Sequence, residues 1–298
     1  MTCRTMPNLE DIDQALNMYV KNETVEIKDE YDQILDGIDI LFTIETFYNW
    51  EIIELARERG IKTVLLTMFE MTPSKLDYVP DLFICPSKLD YEKIPEPKVF
   101  IPIPVATDRL EWQLRSGKPK IFVHSASHLG IDNRKGTYLL LQAMKYVRAD
   151  IQLWIYSWRN LLIDAPKTEL KLLNFENYWQ IWREGDVLVY PQDYNGICLP
   201  IIEAMSSGLG VITTDIFPFN EYMPKELLFS PSGFRKVSAQ RGCISTEGAI
   251  IEPKVFAKKI DAVAQMDITP FSEYGREWAE ENSWEVLLDK YKKVIYEM

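Results

Sequence analysis

The segment Asp186–Asp215, DVLVYPQDYNGICLPIIEAMSSGLGVITTD, decides the fold, because it reads as strand, polar turn, amphipathic helix, Gly-rich break and second strand. Asp186–Tyr190 and Val211–Thr214 are short apolar runs rich in β-formers. Between them Leu199, Ile202, Met205 and Ser206 fall on one side of a helix that stops at Gly208 or Gly210. A βαβ unit of this kind holds ligands at the strand ends and leaves a helix N-terminus to face an anion. Glu203, one turn into the helix, carries a carboxylate able to accept both hydrogens of a ribose diol.

The same grammar extends outward in both directions. Asn8–Val20 has a helical apolar face, Ile38–Ile44 is an apolar strand, and Trp50–Arg59 is a helix closed by Gly60. Strands follow at Ile61–Leu66 and Asp81–Cys85, which predicts an open parallel α/β sheet. Val99–Val105, VFIPIPV, reads as an extended linker, since Pro102 and Pro104 cannot sit in a central strand. The domain boundary is expected between about residues 103 and 119. After it come strand 120–124, loop 125–135, helix 137–147, strand 151–156 and helix 169–183. Beyond the central segment, 230–248 reads as loop, 248–252 as strand, 255–265 as helix and 271–298 as one long helix or a pair.

Composition narrows the function classes. The 298 residues exceed a single small core and suit two modest α/β domains. Net charge is −12, which disfavours binding of a phosphate backbone over the whole surface. Local basic patches are still conceivable at Arg109, Arg115, Lys118 and Lys120, or at Arg235, Lys236 and Arg241. No apolar stretch reaches the ~20 residues of a membrane span, and no leader is visible, so a cytoplasmic location is expected. Four scattered cysteines and two histidines give no zinc spacing, and no Asp-x-Asp sits at a strand end, so no metal is expected.

The wording of the central segment resembles the donor-site motif of retaining GT-B glycosyltransferases (glycosyltransferase family 4-like, glycosyl transferases group 1), written E-x7-E within EGFGLPLLEAMACGTPVVATD. Gly196, Leu199, Pro200, Glu203, Ala204, Met205, Gly208, Val211 and Asp215 match it, whereas Asn195 stands where the first glutamate belongs. Lys135-Gly136 before Leu140-Leu141-Gln142-Ala143 resembles the family's phosphate-contacting Lys-Gly loop. The family's Gly-Arg after the first C-domain strand is replaced by His124-Ser125-Ala126-Ser127-His128.

The resemblance implies two Rossmann-like domains facing a cleft, the first of them abbreviated. It implies an acceptor-side domain over 1–110, a nucleotide-sugar donor domain over 111–280, and a C-terminal helix, 281–298, that returns to the first. Lys135, with Arg134 as a substitute for the missing arginine, would neutralise the departing diphosphate, and Glu203 would hold the ribose. Asn195 would read the transferred sugar together with the backbone of Gly196, Ile197, Cys198 and Leu199, while Gly136 opens the phosphate loop. On the acceptor side Glu45 and Glu70 end parallel strands and His128 follows the linker. The implied reaction moves a sugar from a UDP- or GDP-sugar to an acceptor hydroxyl, with no separate cofactor. The acceptor class stays open between glycan, small molecule and modified DNA. Two alternatives are a viral-type transferase acting on hydroxymethylated pyrimidines and a non-catalytic nucleotide-sugar-binding protein.

Overall fold

A computed structural model describes residues 31, 33–127, 135–174, 176, 178, 180–238 and 242–298. The helix expected over residues 8–20 lies outside them. Ile40–Glu45 (β1), Ile52–Glu58 (α1), Lys62–Thr67 (β2), Leu82–Cys85 (β3), Lys88–Lys93 (α2) and Lys98–Phe100 (β4) come first along the chain. Their strands form a parallel sheet of order β1-β2-β3-β4. Alternation along the strands splits its side chains. Leu65, Phe83 and Cys85 join Ile53 and Ala56 in one cluster, whereas Val64, Leu66 and Ile84 join the larger core of the second half.

The second half holds Ile121–Ser127 (β5), Thr137–Met144 (α3), Gln152–Ser157 (β6), Thr168–Leu172 (β7), Gln180–Glu184 (α4) and Val187–Tyr190 (β8). Leu199–Ser206 (α5), Gly210–Thr214 (β9) and Leu228–Phe229 (β10) follow. Six parallel strands run in the order β10-β9-β8-β5-β6-β7. Every residue of β8 and β9 is buried, as a parallel strand covered on both faces requires. Gly233–Val237 (β11) and Thr246–Ile250 (β12) make an antiparallel pair, and Pro253–Val263 (α6), Thr269–Glu281 (α7) and Trp284–Tyr296 (α8) complete the chain.

Three sequence expectations are corrected. Residues 169–183 are not one helix: β7 pairs with β6, and Lys171 lies 4.6 Å over the Trp154 ring on the neighbouring strand. Its half-exposed, charge-bearing edge position gave it a helix-like pattern. Residues 230–248 are not loop throughout, because β11 finds its partner in β12. The supposed linker at 99–105 begins as strand β4, a short edge that Pro102 and Pro104 then end.

Arg115 is also no surface charge. Its guanidinium is buried and donates to the carbonyls of Gly185, Gln113, Ser207, Trp182 and Arg183, tying the linker to the second sheet. The chain end meets the linker as well. Val105 N–H donates to Asn282 O at 2.8 Å, and Tyr291 on α8 donates to Pro102 O at 3.1 Å.

A cleft between the two sheets as the candidate active site

The end of the second sheet that carries Lys135 and Gly136 is pinned by a buried histidine. His124, fully buried on β5, lies 2.8 Å from Val189 O through Nδ1 and 2.8 Å from Thr137 Oγ1 through Nε2. A carbonyl only accepts, so Nδ1 carries the proton and Nε2 accepts from the threonine hydroxyl. Burial pushes the imidazole down to about 4, opposed by the Val189 bond and assisted by the nearby Lys135 cation. The ring is therefore neutral and structural, as a strand-end core residue. It fixes the start of α3, where Lys135 and Gly136 sit. Gly136 has φ of 73°, and a Cβ there would stand 2.2 Å from Pro191 O, so the loop must be glycine at this point. His128 and Arg134 lie outside the described residues.

Helix α5 sets the donor motif. Its N-cap residue is Cys198, whose φ of 57° and ψ of 67° are left-handed, and Pro200 follows in the first turn. The family motif quoted above has glycine at this place, which the conformation explains. Glu203 is partly buried, and its Oε2 accepts a 2.6 Å bond from Tyr178 Oη. Burial raises the Glu203 carboxyl, the Tyr178 bond counteracts, and burial also lifts the Tyr178 phenol far above its ordinary value. An ionised carboxylate offers about four acceptor positions, so one phenol leaves capacity for a diol.

Asn195 donates from Nδ2 to Gln192 Oε1 at 3.0 Å. Gln192 is fully buried, and its Nε2 has no hydrogen-bond partner among the described residues. A glutamate at 195 would accept from that amide group if it turned over, so the Asn–Gln pairing is a physical consequence of the departure from the motif.

Residues from the first half close the cleft over this motif. Gly196 N–H donates to Glu70 Oε1 at 2.7 Å, and a Cβ at 196 would lie 2.5 Å from the Glu70 carboxylate. Glu221 reaches the opposite way, accepting from the backbone of Lys88 at 3.1 Å and Leu89 at 3.4 Å at the start of α2. Behind them Asp90 is buried, accepts from Phe69 N–H, and bonds to Ser87 Oγ. Burial raises its carboxyl to about 7; the Ser87 and Phe69 bonds act against this, and the Glu70 and Glu221 charges act with it.

Of the residues singled out from sequence, the structure brings Glu70 onto Gly196 and leaves Glu45 exposed, with a left-handed φ of 72°, at the end of β1. Tyr178, Gln192 and the bridging of Glu221 to α2 were not foreseen. Two cavities open on the cleft. One of about 170 Å³ lies among Phe100, Ile197, Tyr222 and Trp278. Another of about 640 Å³ lies beside Asn195.

Two parallel α/β sheets meeting across such a cleft define the GT-B class of fold. Residues 119–238 match the model of the family Glycosyl transferases group 1. No curated protein matches the chain in sequence. Among solved structures it is similar to sucrose-phosphate synthase from Thermosynechococcus elongatus, 15% identical at TM-score 0.65, with 98% of this chain and 80% of that one covered. It is similar to Anabaena HepE in complex with UDP-glucose, 10% identical at TM-score 0.65, covering 90% and 82%. A further match is the GtfA/B complex, 15% identical at TM-score 0.62, covering 91% of this chain; this chain spans only 59% of the length of that one.

Proposed function

We propose that the protein is a glycosyltransferase that moves a sugar from a nucleotide-diphosphate donor to an acceptor hydroxyl. The observation that carries the reading is the α5 unit: a helix start of the kind that can hold an anion, after a left-handed Cys198, with the partly buried Glu203 carboxylate one turn further on. Glu203 takes the ribose diol beside the Tyr178 phenol. Lys135, at the loop pinned by His124 and Thr137, meets the diphosphate with the Gly136 backbone beside it, and Arg134, which precedes it in sequence, is proposed as the second cation. Asn195 and the 196–199 backbone read the sugar.

A neighbour of like fold in complex with UDP-glucose favours UDP over GDP. Transfer with retention and without a metal follows from the resemblance of the motif. Among the described residues no cluster of three or more His, Cys, Asp or Glu is arranged to hold an ion, and no helix is long and apolar enough to cross a membrane. The two-domain division near residue 110 accords with a donor side built on the second sheet and an acceptor side built on the first.

The direct test is a thermal-shift panel of UDP- and GDP-sugars. A true donor at about 100 times its dissociation constant adds about 2.7 kcal/mol of stability. Stabilisation by none of the nucleotide sugars would remove the reading.

A further inference from the structure

The 640 Å³ cavity beside Asn195 has a different make-up from the nucleotide grip. Tyr194 and Asn195 line it, while Glu203 and Lys135 do not. It therefore adjoins the position expected to read the transferred sugar without reaching the groups expected to hold the nucleotide. Its far wall is the β11–β12 hairpin, and its near wall is the first domain. The hairpin end is tied down by Ser74 N–H to Gly242 O at 2.8 Å and Ile244 N–H to Thr72 O at 2.9 Å. Lys93 of α2 reaches Ser245 O at 3.5 Å. The walls are thus braced to one another before any ligand enters.

We propose that this cavity is the acceptor site and that it takes a saccharide; the inference rests on the transferase reading above. Phe217 and Phe234 line the cavity, each with half its surface open to solvent. Exposed rings in a cavity that also carries polar side chains suit the apolar C–H faces of a pyranose. Around them Lys93, Lys236 and Asn220 supply donors for ring hydroxyls, and Asp215 and Glu247 supply acceptors.

The lining is mixed in charge: Asp215 and Glu247 stand among Lys93, Lys236 and Arg235, the last paired to Asp193, so a phosphate backbone would meet both signs within a chain of net charge −12. The volume lies within the ~300–1,000 Å³ typical of small-ligand pockets, enough for a short saccharide. In the step so framed, the acceptor hydroxyl oxygen bonds to the donor's anomeric carbon as the bond from that carbon to the diphosphate oxygen breaks. The electron pair leaves with the diphosphate, which also takes the hydroxyl proton.

The test uses the full chain with UDP and the methyl glycosides of glucose, galactose, mannose and N-acetylglucosamine, observed by saturation-transfer difference NMR. At least one glycoside is expected to bind. In Phe234→Ala its affinity should fall about tenfold or more, with UDP affinity within twofold of wild type. Lys236→Gln, on the exposed strand, replaces Phe234→Ala if that variant unfolds, and a several-fold loss is expected. Binding of no glycoside, or equal binding by wild type and variants, overturns the inference. So does preferential binding of a hydroxymethylcytosine duplex over every glycoside. Loss of UDP and GDP affinity in the wild type itself would instead sink the donor reading on which the inference stands.

Discussion

The Glu70 carboxylate lies 2.7 Å from the backbone nitrogen of Gly196, so a side chain from the turn that follows β2 is seated on a glycine of the α5 motif in the second half. This contact couples the two halves at the point where sugar recognition is expected. The missing Cβ of Gly196 is what permits it.

Gly196→Ala should be destabilising, because the new methyl displaces the Glu70 carboxylate from its bond to the backbone N–H of residue 196. Glu70→Ala alone should cost about 1–3 kcal/mol by stranding a buried amide. In the double variant the steric part disappears, so a double-mutant cycle by chemical denaturation should give a coupling energy above about 0.5 kcal/mol. Strict additivity would mean that the two residues do not touch in solution.

The buried pair His124 and Thr137 makes a prediction for the phosphate loop. Thr137→Val removes the donor to Nε2 and leaves a buried ring nitrogen unsatisfied, at a cost of about 1–3 kcal/mol. Thr137→Ser keeps the hydroxyl and should recover most of that loss. Nucleotide affinity, read by calorimetry, should fall in the valine variant more than in the serine variant, because Lys135 and Gly136 sit at the same helix start. Equal affinity in both would show that this pin does not set the loop.

These relationships were unequally legible in the sequence. Residues 186–215 read true because β8 and β9 are buried on both faces, which demands continuous apolar runs, and because Gly208 marks the helix stop. β7 is not legible in the sequence, since an edge strand is specified by its neighbour, not by its own alternation. The β11–β12 hairpin is largely exposed, so its strands carry polar residues and no core-facing stripe. Cys198 shows a subtler limit. Its backbone is left-handed, a conformation glycine adopts most readily, yet cysteine as a residue type gives no local sign of it. The Glu70–Gly196 bond spans 126 positions and leaves no local pattern at all.

Asp90 should make stability fall as pH rises. Its folded value of about 7 is above the ordinary 3.8, so the folded state binds the proton more tightly than the unfolded chain. The resulting stabilisation is full below about 4 and is lost as pH climbs from there through 7. Asp90→Asn should flatten this slope, and the difference between variant and wild type in urea denaturation should shift in the variant's favour between pH 5 and pH 8. A wild-type slope unchanged by the substitution would assign the effect elsewhere.

The central claim is that Glu203 and Lys135 grip one nucleotide diphosphate, and isothermal titration of UDP and GDP against the wild type and two single variants tests it most directly. The account predicts that Glu203→Ala and Lys135→Ala each weaken the preferred nucleotide at least tenfold, about 1.4 kcal/mol. Both variants should keep the wild-type unfolding midpoint to within a few degrees. Affinity equal to wild type in both variants would contradict the assignment.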